Sequence, residues 1–290
     1  MLCTKKIPEK STDFSTGGRS MQNPLILAVE TSGRMGSVAI AITDQLLAET
    51  AFSAPMRHSS EIFPAVCGLL DRFNRKPQEI EHIYISAGPG SFTGLRIAVT
   101  MAKIMNLANA VKIVAVDTLD VIAANAADCI TEEKNSEINK IAAIIDAKRG
   151  QFFIAAYQYK RQSSAMPCAN NIRNTQRAIP QTDNGRWEKI LPDCLISASE
   201  FLRQFAGTAE PVWLLGEGLV YHKDKFKADN IRILDEKYWN PTAAKVLSLG
   251  WHKALQGRFA DAMTLVPNYI RKPEAEKKET IDSKQQIVNS

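Results

Sequence analysis

At 290 residues, 45% hydrophobic and 23% charged, the chain can bury a sizeable core as one large domain or as two lobes, and two lobes is the expectation. The formal net charge of +5 is uneven, with +2 on residues 1–23 and +1 on residues 271–290, so the body of the chain carries little basic excess and is not marked as a tight RNA binder. Cys3, Cys67, Cys129, Cys168 and Cys194 show no CxxC or other ligand-like spacing, and no apolar run reaches membrane-spanning length. These features argue against a zinc knuckle, a disulfide framework, export or a membrane location, and favour the cytoplasm.

Residues 1–23 are polar, contain Gly17-Gly18 and read as a disordered extension. From Pro24, three apolar runs at 25–30, 37–42 and 46–52, separated by turn formers, predict a strand meander. Ile62, Phe63, Val66, Leu69, Leu70 and Phe73 then follow helical spacing over residues 60–73, with Ser60 available as N-cap and Pro64 close to the first turn.

A strand at 82–87, the loop Gly88-Pro89-Gly90-Ser91-Phe92-Thr93-Gly94, a helix at 93–109 and a strand at 112–116 complete a βββαβαβ order. The helix has two apolar stripes. Leu95, Ala98, Val99 and Ala102 form one, and Ile97, Met101, Ile104 and Ala108 form the other, with Arg96, Thr100 and Lys103 as a polar seam. Such a helix needs cover on both faces: its own sheet on one, and a neighbouring helix or another protein on the other.

Residues 119–129 read as a helix, and the strand at 141–145 opens a second lobe, followed by a turn at 146–150 and a strand at 151–157. Residues 160–188 are polar and weakly periodic and are expected to form a mobile excursion. A strand at 212–215 and a helix at 242–255, with Pro241 in its first turn, complete the lobe; the charged tail should be disordered. The expected boundaries are an extension at 1–23, a first lobe at 24–129, a second at 130–271 and a tail at 272–290.

Loop 88–94 joins a strand to a helix N-terminus, where backbone N–H groups and the helix dipole favour an anion. It lacks the Lys-Ser/Thr pair of a Walker A loop and the GxGxxG spacing, so a tight turn without ligand stands as the alternative. Glu30-Thr31-Ser32-Gly33, at the end of the first strand, is a second place where hydroxyls could meet a phosphate. Thr31, Ser32, Gly88, Gly90 and Ser91 are thus the nucleotide-binding candidates. His58 is followed four residues later by Ile62, so no histidine pair forms there, and no metal site is assigned. Asp117, Asp146 and Glu217 fall near strand ends, but no nucleophile and base arise together, and no catalytic residue is assigned.

Six blocks carry a resemblance: Leu27-Ala28-Val29-Glu30-Thr31-Ser32; His58-Ser59-Ser60-Glu61-Ile62; residues 86–98, with GPGSFTGLR inside; Val116-Asp117-Thr118-Leu119; Asp146-Ala147-Lys148-Arg149-Gly150-Gln151; and Pro267-Asn268-Tyr269-Ile270-Arg271. In order and spacing they resemble the bacterial TsaB (YeaZ) family. The resemblance implies a two-lobed α/β fold of the actin, Hsp70 and sugar-kinase type, which is ribonuclease H-like, with mixed sheets flanked by helices. It also implies membership of the complex that places threonylcarbamoyl on N6 of adenosine 37 in tRNAs reading codons that start with A. In that family the chemistry belongs to a paralogous transferase, TsaD. TsaB dimerises with it and activates it, the ATPase TsaE joins them, tRNA is met through the complex, and the complex uses ATP and a divalent metal. The paralogue carries a His-x-x-x-His pair where this chain has His58 and Ile62.

The family also pairs, with the transferase and with itself, through two helices of the first lobe. On this chain the resemblance maps the surface to Ile62, Val66, Leu69 and Leu70 of one helix and Ile97, Met101, Ile104 and Ala108 of the other. The competing readings are a small-molecule kinase, a metallopeptidase-like enzyme of the same superfamily, or a direct tRNA-binding module.

Overall fold

The computed structural model describes residues 23–133, 137–161, 178–182 and 185–270; all but the last residue of the expected extension at 1–23, and the expected tail at 272–290, lie outside them. Among the described residues no helix is long and apolar enough to cross a membrane.

The first sheet contains β1 (Leu25–Glu30), β2 (Ser37–Ile42) and β3 (Gln45–Ala51), paired antiparallel, and then β4 (Ile80–Gly88) and β5 (Lys112–Asp117), which continue parallel to β1 in the order β3-β2-β1-β4-β5. β1 is buried along its whole length because each of its faces supports a separate core. Strand alternation sends Leu25, Leu27 and Val29 to one cluster and Ile26 and Ala28 to the other.

The first of these faces is covered by α1 (His58–Arg72) and α2 (Phe92–Asn109). α1 starts two residues ahead of the sequence reading: Arg57 is its N-cap, Ser60 lies in the first turn with its hydroxyl on the Arg57 carbonyl at 3.1 Å, and Pro64 sits inside the helix. Glu61 is occupied at the entry to the helix, where its carboxylate accepts the Ser53 backbone N–H at 2.6 Å and the Ser53 hydroxyl at 2.5 Å.

α3 (Thr118–Glu133) leads into the second sheet, built from β6 (Lys140–Asp146), β7 (Gln151–Arg161), β8 (Ala178–Thr182) and β9 (Gly185–Ser197). α4 (Ala198–Phe205) follows, entered through a capping box in which Ser197 and Glu200 exchange hydrogen bonds. β10 (Val212–Leu215) and β11 (Ile231–Ile233) finish the sheet in the order β11-β10-β6-β7-β9-β8. The expected excursion at 160–188 is therefore corrected at both ends, where β7 and β8 each pair with β9; residues 162–177 and 183–184 lie outside the described residues.

α5 (Ala243–Leu255) is capped by Thr242, with Pro241 one residue ahead of the cap instead of in the first turn. It packs on β1, β2, β4 and β5, where Gly250 lets it cross directly over the Tyr84 ring. After it, Ala260 bridges to Ile113, Leu265 enters the α1/α2 core and Asn268 donates its N–H to the Ala87 carbonyl at 2.6 Å. The chain thus returns to the first lobe, so that lobe is built from two separate stretches and residues 130–271 do not form one continuous second lobe. The actin-like two-lobed α/β expectation holds.

Candidate functional site

Because β1 and β4 are parallel neighbours, their C-terminal ends deliver loops 30–33 and 88–94 side by side at the cleft between the two sheets. The loops are bound to each other. The Thr31 hydroxyl donates to the Gly94 carbonyl at 2.7 Å, and the Ser91 N–H donates to the Ser32 carbonyl at 2.7 Å. Glu30, fully buried, accepts the Ser32 N–H at 2.6 Å and the Ser32 hydroxyl at 2.5 Å on one oxygen, and the Ser86 hydroxyl on the other.

This arrangement corrects part of the nucleotide expectation. Thr31 and Ser32 are buried and their hydroxyls are spent inside the protein, on Gly94 and Glu30, so they cannot hold a phosphate. Gly88 is turned under the chain end: φ is +118° and a Cβ there would lie 2.8 Å from the Asn268 carbonyl oxygen. Gly90 and Ser91 do line the cleft, a cavity of about 590 Å³.

Burial pushes the Glu30 carboxyl up from its ordinary value, with the Ser32 and Ser86 hydrogen bonds pulling back. A carboxyl raised on folding binds its proton more readily in the native state, so its contribution to stability is fullest below the ordinary carboxylate range and declines as pH rises through the native value. The unfolding free energy in urea should therefore fall from pH 5 to pH 8 more steeply in the wild type than in Glu30→Gln, and equal slopes would refute this role.

The cleft is latched between lobes. The Arg34 N–H donates to Glu217 Oε2 at 2.7 Å, and its guanidinium donates to the Tyr221 hydroxyl at 2.9 Å. Burial pushes the Glu217 carboxyl up. Asp146 is held by the Lys148 ammonium at 2.8 Å, and Asp117 ends β5. His58 is buried beneath loop 33–36, its Nε2 3.0 Å from the Gly33 carbonyl, and burial lowers its pKa. Ile62, one turn on, is fully buried, and among the described residues no three His, Cys, Asp or Glu side chains gather as a metal set.

On the outer face, α1 and α2 frame an apolar groove of about 410 Å³. Ile62 and Met101 form its buried floor, and Phe63, Phe92, Ile97 and Ile104 its walls. Phe63 and Ile104 are each 59% exposed and Phe92 is 52%; Leu107, on the last turn of α2, is 88% exposed. Large apolar side chains gathered this way are the kind of patch a docked partner would cover.

Of the residues mapped to a partner surface, Val66, Leu69 and Leu70 are corrected: they are buried in the core under α1, because the apolar stripe of that helix is its inward face. Ala108 is exposed but does not line the groove. Phe63 and Phe92, which line the groove, were not among the mapped residues, and neither was the exposed Leu107, which lies outside it. Helical spacing alone could not have found Phe63, since it shares its side of α1 with Leu70, seven residues on, and Leu70 is buried.

Residues 45–279 match the family described as "TsaD: tRNA N6-adenosine threonylcarbamoyltransferase". A relative in Bacillus subtilis (strain 168), the tRNA threonylcarbamoyladenosine biosynthesis protein TsaB, is 30% identical over 260 residues, covering 87% of this chain and 96% of its own. The protein of the same name in Escherichia coli (strain K12) is 24% identical over 257 residues, covering 87% and 97%. The solved structure "YeaZ from Pseudomonas aeruginosa" superposes with a TM-score of 0.65 at 22% identity, covering 85% of this chain and 99% of that one, which shows the shared fold.

Proposed function

The chain belongs to the TsaB family of tRNA threonylcarbamoyladenosine biosynthesis proteins, within the wider family of the transferase TsaD, and from that premise we propose that it is the non-catalytic partner that docks and activates the transferase. The observation that carries this reading is the α1/α2 groove, whose exposed Phe63, Phe92 and Ile104 stand over a buried apolar floor. Covering a half-exposed Phe or Ile side chain in such a groove contributes about 1–2 kcal/mol, so three of them can form the centre of an interface. The same face serves a second copy of the chain when the transferase is absent.

The internal hydrogen bonding of Thr31 and Ser32 and the burial of His58 beside Ile62 weigh against a kinase or a metallopeptidase. ATP and the divalent metal then belong to the transferase and to the ATPase TsaE, tRNA is engaged through the assembled complex, and the work takes place in the cytoplasm.

Reconstituted threonylcarbamoyl transfer to tRNA tests this. With cognate transferase, ATPase and donor synthase present, transfer should require this chain, and this chain without the transferase should give none. Activity from this chain alone would overturn the non-catalytic reading, and equal activity without it would overturn the activator reading.

A further inference from the structure

The docking groove and the inter-lobe cleft share a wall, because Phe92, the first residue of α2, lines both. On the groove side, the Arg96 guanidinium carbon lies 4.4 Å from the centre of the Phe92 ring. On the cleft side, the Tyr269 ring lies 5.3 Å away at an interplanar angle of 32°. Tyr269 lines the cleft and not the groove.

Tyr269 is itself held in place. Asn268 is hydrogen-bonded through its N–H to Ala87 at 2.6 Å, and its carbonyl lies against Gly88, where only a residue without Cβ fits. The returning chain end is thereby fixed against the tip of β4, immediately before the loop that starts α2.

We propose that Tyr269 is a positioning residue for partner docking: from inside the cleft it holds the Phe92 ring in the orientation that forms the groove wall. A half-exposed aromatic at a helix start otherwise samples several rotamers, and a partner that fixes one must offset that lost freedom. Holding Phe92 beforehand removes this cost and links the inter-lobe cleft to the docking face. The proposal rests on the reading of the groove as the transferase surface. Among the described residues the buried Tyr269 hydroxyl has no hydrogen-bond partner, and the effect is assigned to the ring.

The test is a double-mutant cycle read by calorimetric Kd for the cognate transferase. Tyr269→Ala should weaken binding by roughly 3- to 10-fold and Phe92→Ala, which also loses its own burial, by roughly 5- to 30-fold. The double variant should bind no more weakly than Phe92→Ala alone, and Tyr269→Phe should bind like the wild type. Unchanged binding by Tyr269→Ala, a loss of binding in Tyr269→Phe, or a full additional loss when Tyr269→Ala is placed in the Phe92→Ala background would overturn the proposal. If Tyr269→Ala does not fold, Tyr269→Leu takes its place in the same cycle. Ile104→Glu is measured alongside: intact binding there refutes the docking reading itself, whereas loss there with intact binding by Tyr269→Ala refutes only the positioning role.

Discussion

Ile104→Glu on α2, or Phe63→Glu on α1, abolishes association with the transferase while the chain stays folded. Both side chains are 59% exposed at the groove between the helices, so neither replacement opens a hole in the core, and glutamate is a good helix former. In the complex the change removes about 1–2 kcal/mol of apolar burial and leaves a carboxylate to be desolvated without a partner. Together these weaken binding by at least ~100-fold, since each 1.4 kcal/mol is tenfold. Met101→Glu is not an equivalent probe: Met101 is 7% exposed in the α1/α2 core, and a charge there destabilises the fold whether or not a partner docks. Co-purification with tagged transferase, with circular dichroism melting of each variant, separates the two effects. Leu46→Glu, on the β3 edge, is the control for surface charge alone. Retained co-purification by both Ile104→Glu and Phe63→Glu would remove the groove from the interface.

Much of the fold was legible because it rests on periodicity. β1 reads as an apolar run since both faces of its sheet are covered, β4 keeps that character over Ile83–Ile85, and of the two apolar stripes of α2 one is buried and the other borders the groove. α1 shows the limit of that signal. A stripe marks the face a helix buries but does not say against what, and Val66, Leu69 and Leu70 went to the core while Phe63 remained outside. β9 escaped notice because Lys189 and Asp193 interrupt its alternation. The structure buries most of the Lys189 side chain by placing its ammonium 2.6 Å from Asp120 and 2.6 Å from Asp193, a compensation that strand pattern cannot reveal. The return of α5 to the first sheet was hidden similarly, since its apolar stripe suits either sheet. At the cleft, Thr31 and Ser32 have the residue types of phosphate ligands. What disqualifies them is a buried carboxylate, Glu30, tied to Ser86 from 56 positions away and to Ser32, and a carbonyl of Gly94 placed to receive Thr31.

Gly94→Ala should be the most destabilising single-methyl change in the first lobe, and its sign separates packing from propensity. Gly94 lies in the first turn of α2, where helix propensity alone makes alanine better than glycine by about 1 kcal/mol. In this fold the added Cβ would land on the Thr31 carbonyl oxygen, which belongs to the backbone at the end of β1 and cannot swing aside. To make room, the start of α2 must lift away from β1, breaking the bond from the Thr31 hydroxyl to the Gly94 carbonyl and the bond from the Ser91 N–H to the Ser32 carbonyl. Both lost bonds leave buried polar groups, so the combined cost exceeds about 4 kcal/mol, a large part of the ~5–15 kcal/mol that typically holds a domain folded. Phe92 sits in the same turn, so transferase binding falls along with stability. Gly68→Ala, inside α1 with open space around its Cβ position, is the matched comparison and should stabilise by about 0.5–1 kcal/mol. Urea denaturation of the two variants beside the wild type measures the difference directly. A Gly94→Ala protein as stable as the wild type would mean that the two loops are not pressed together as described, and would return Thr31 and Ser32 to consideration as groups facing the cleft.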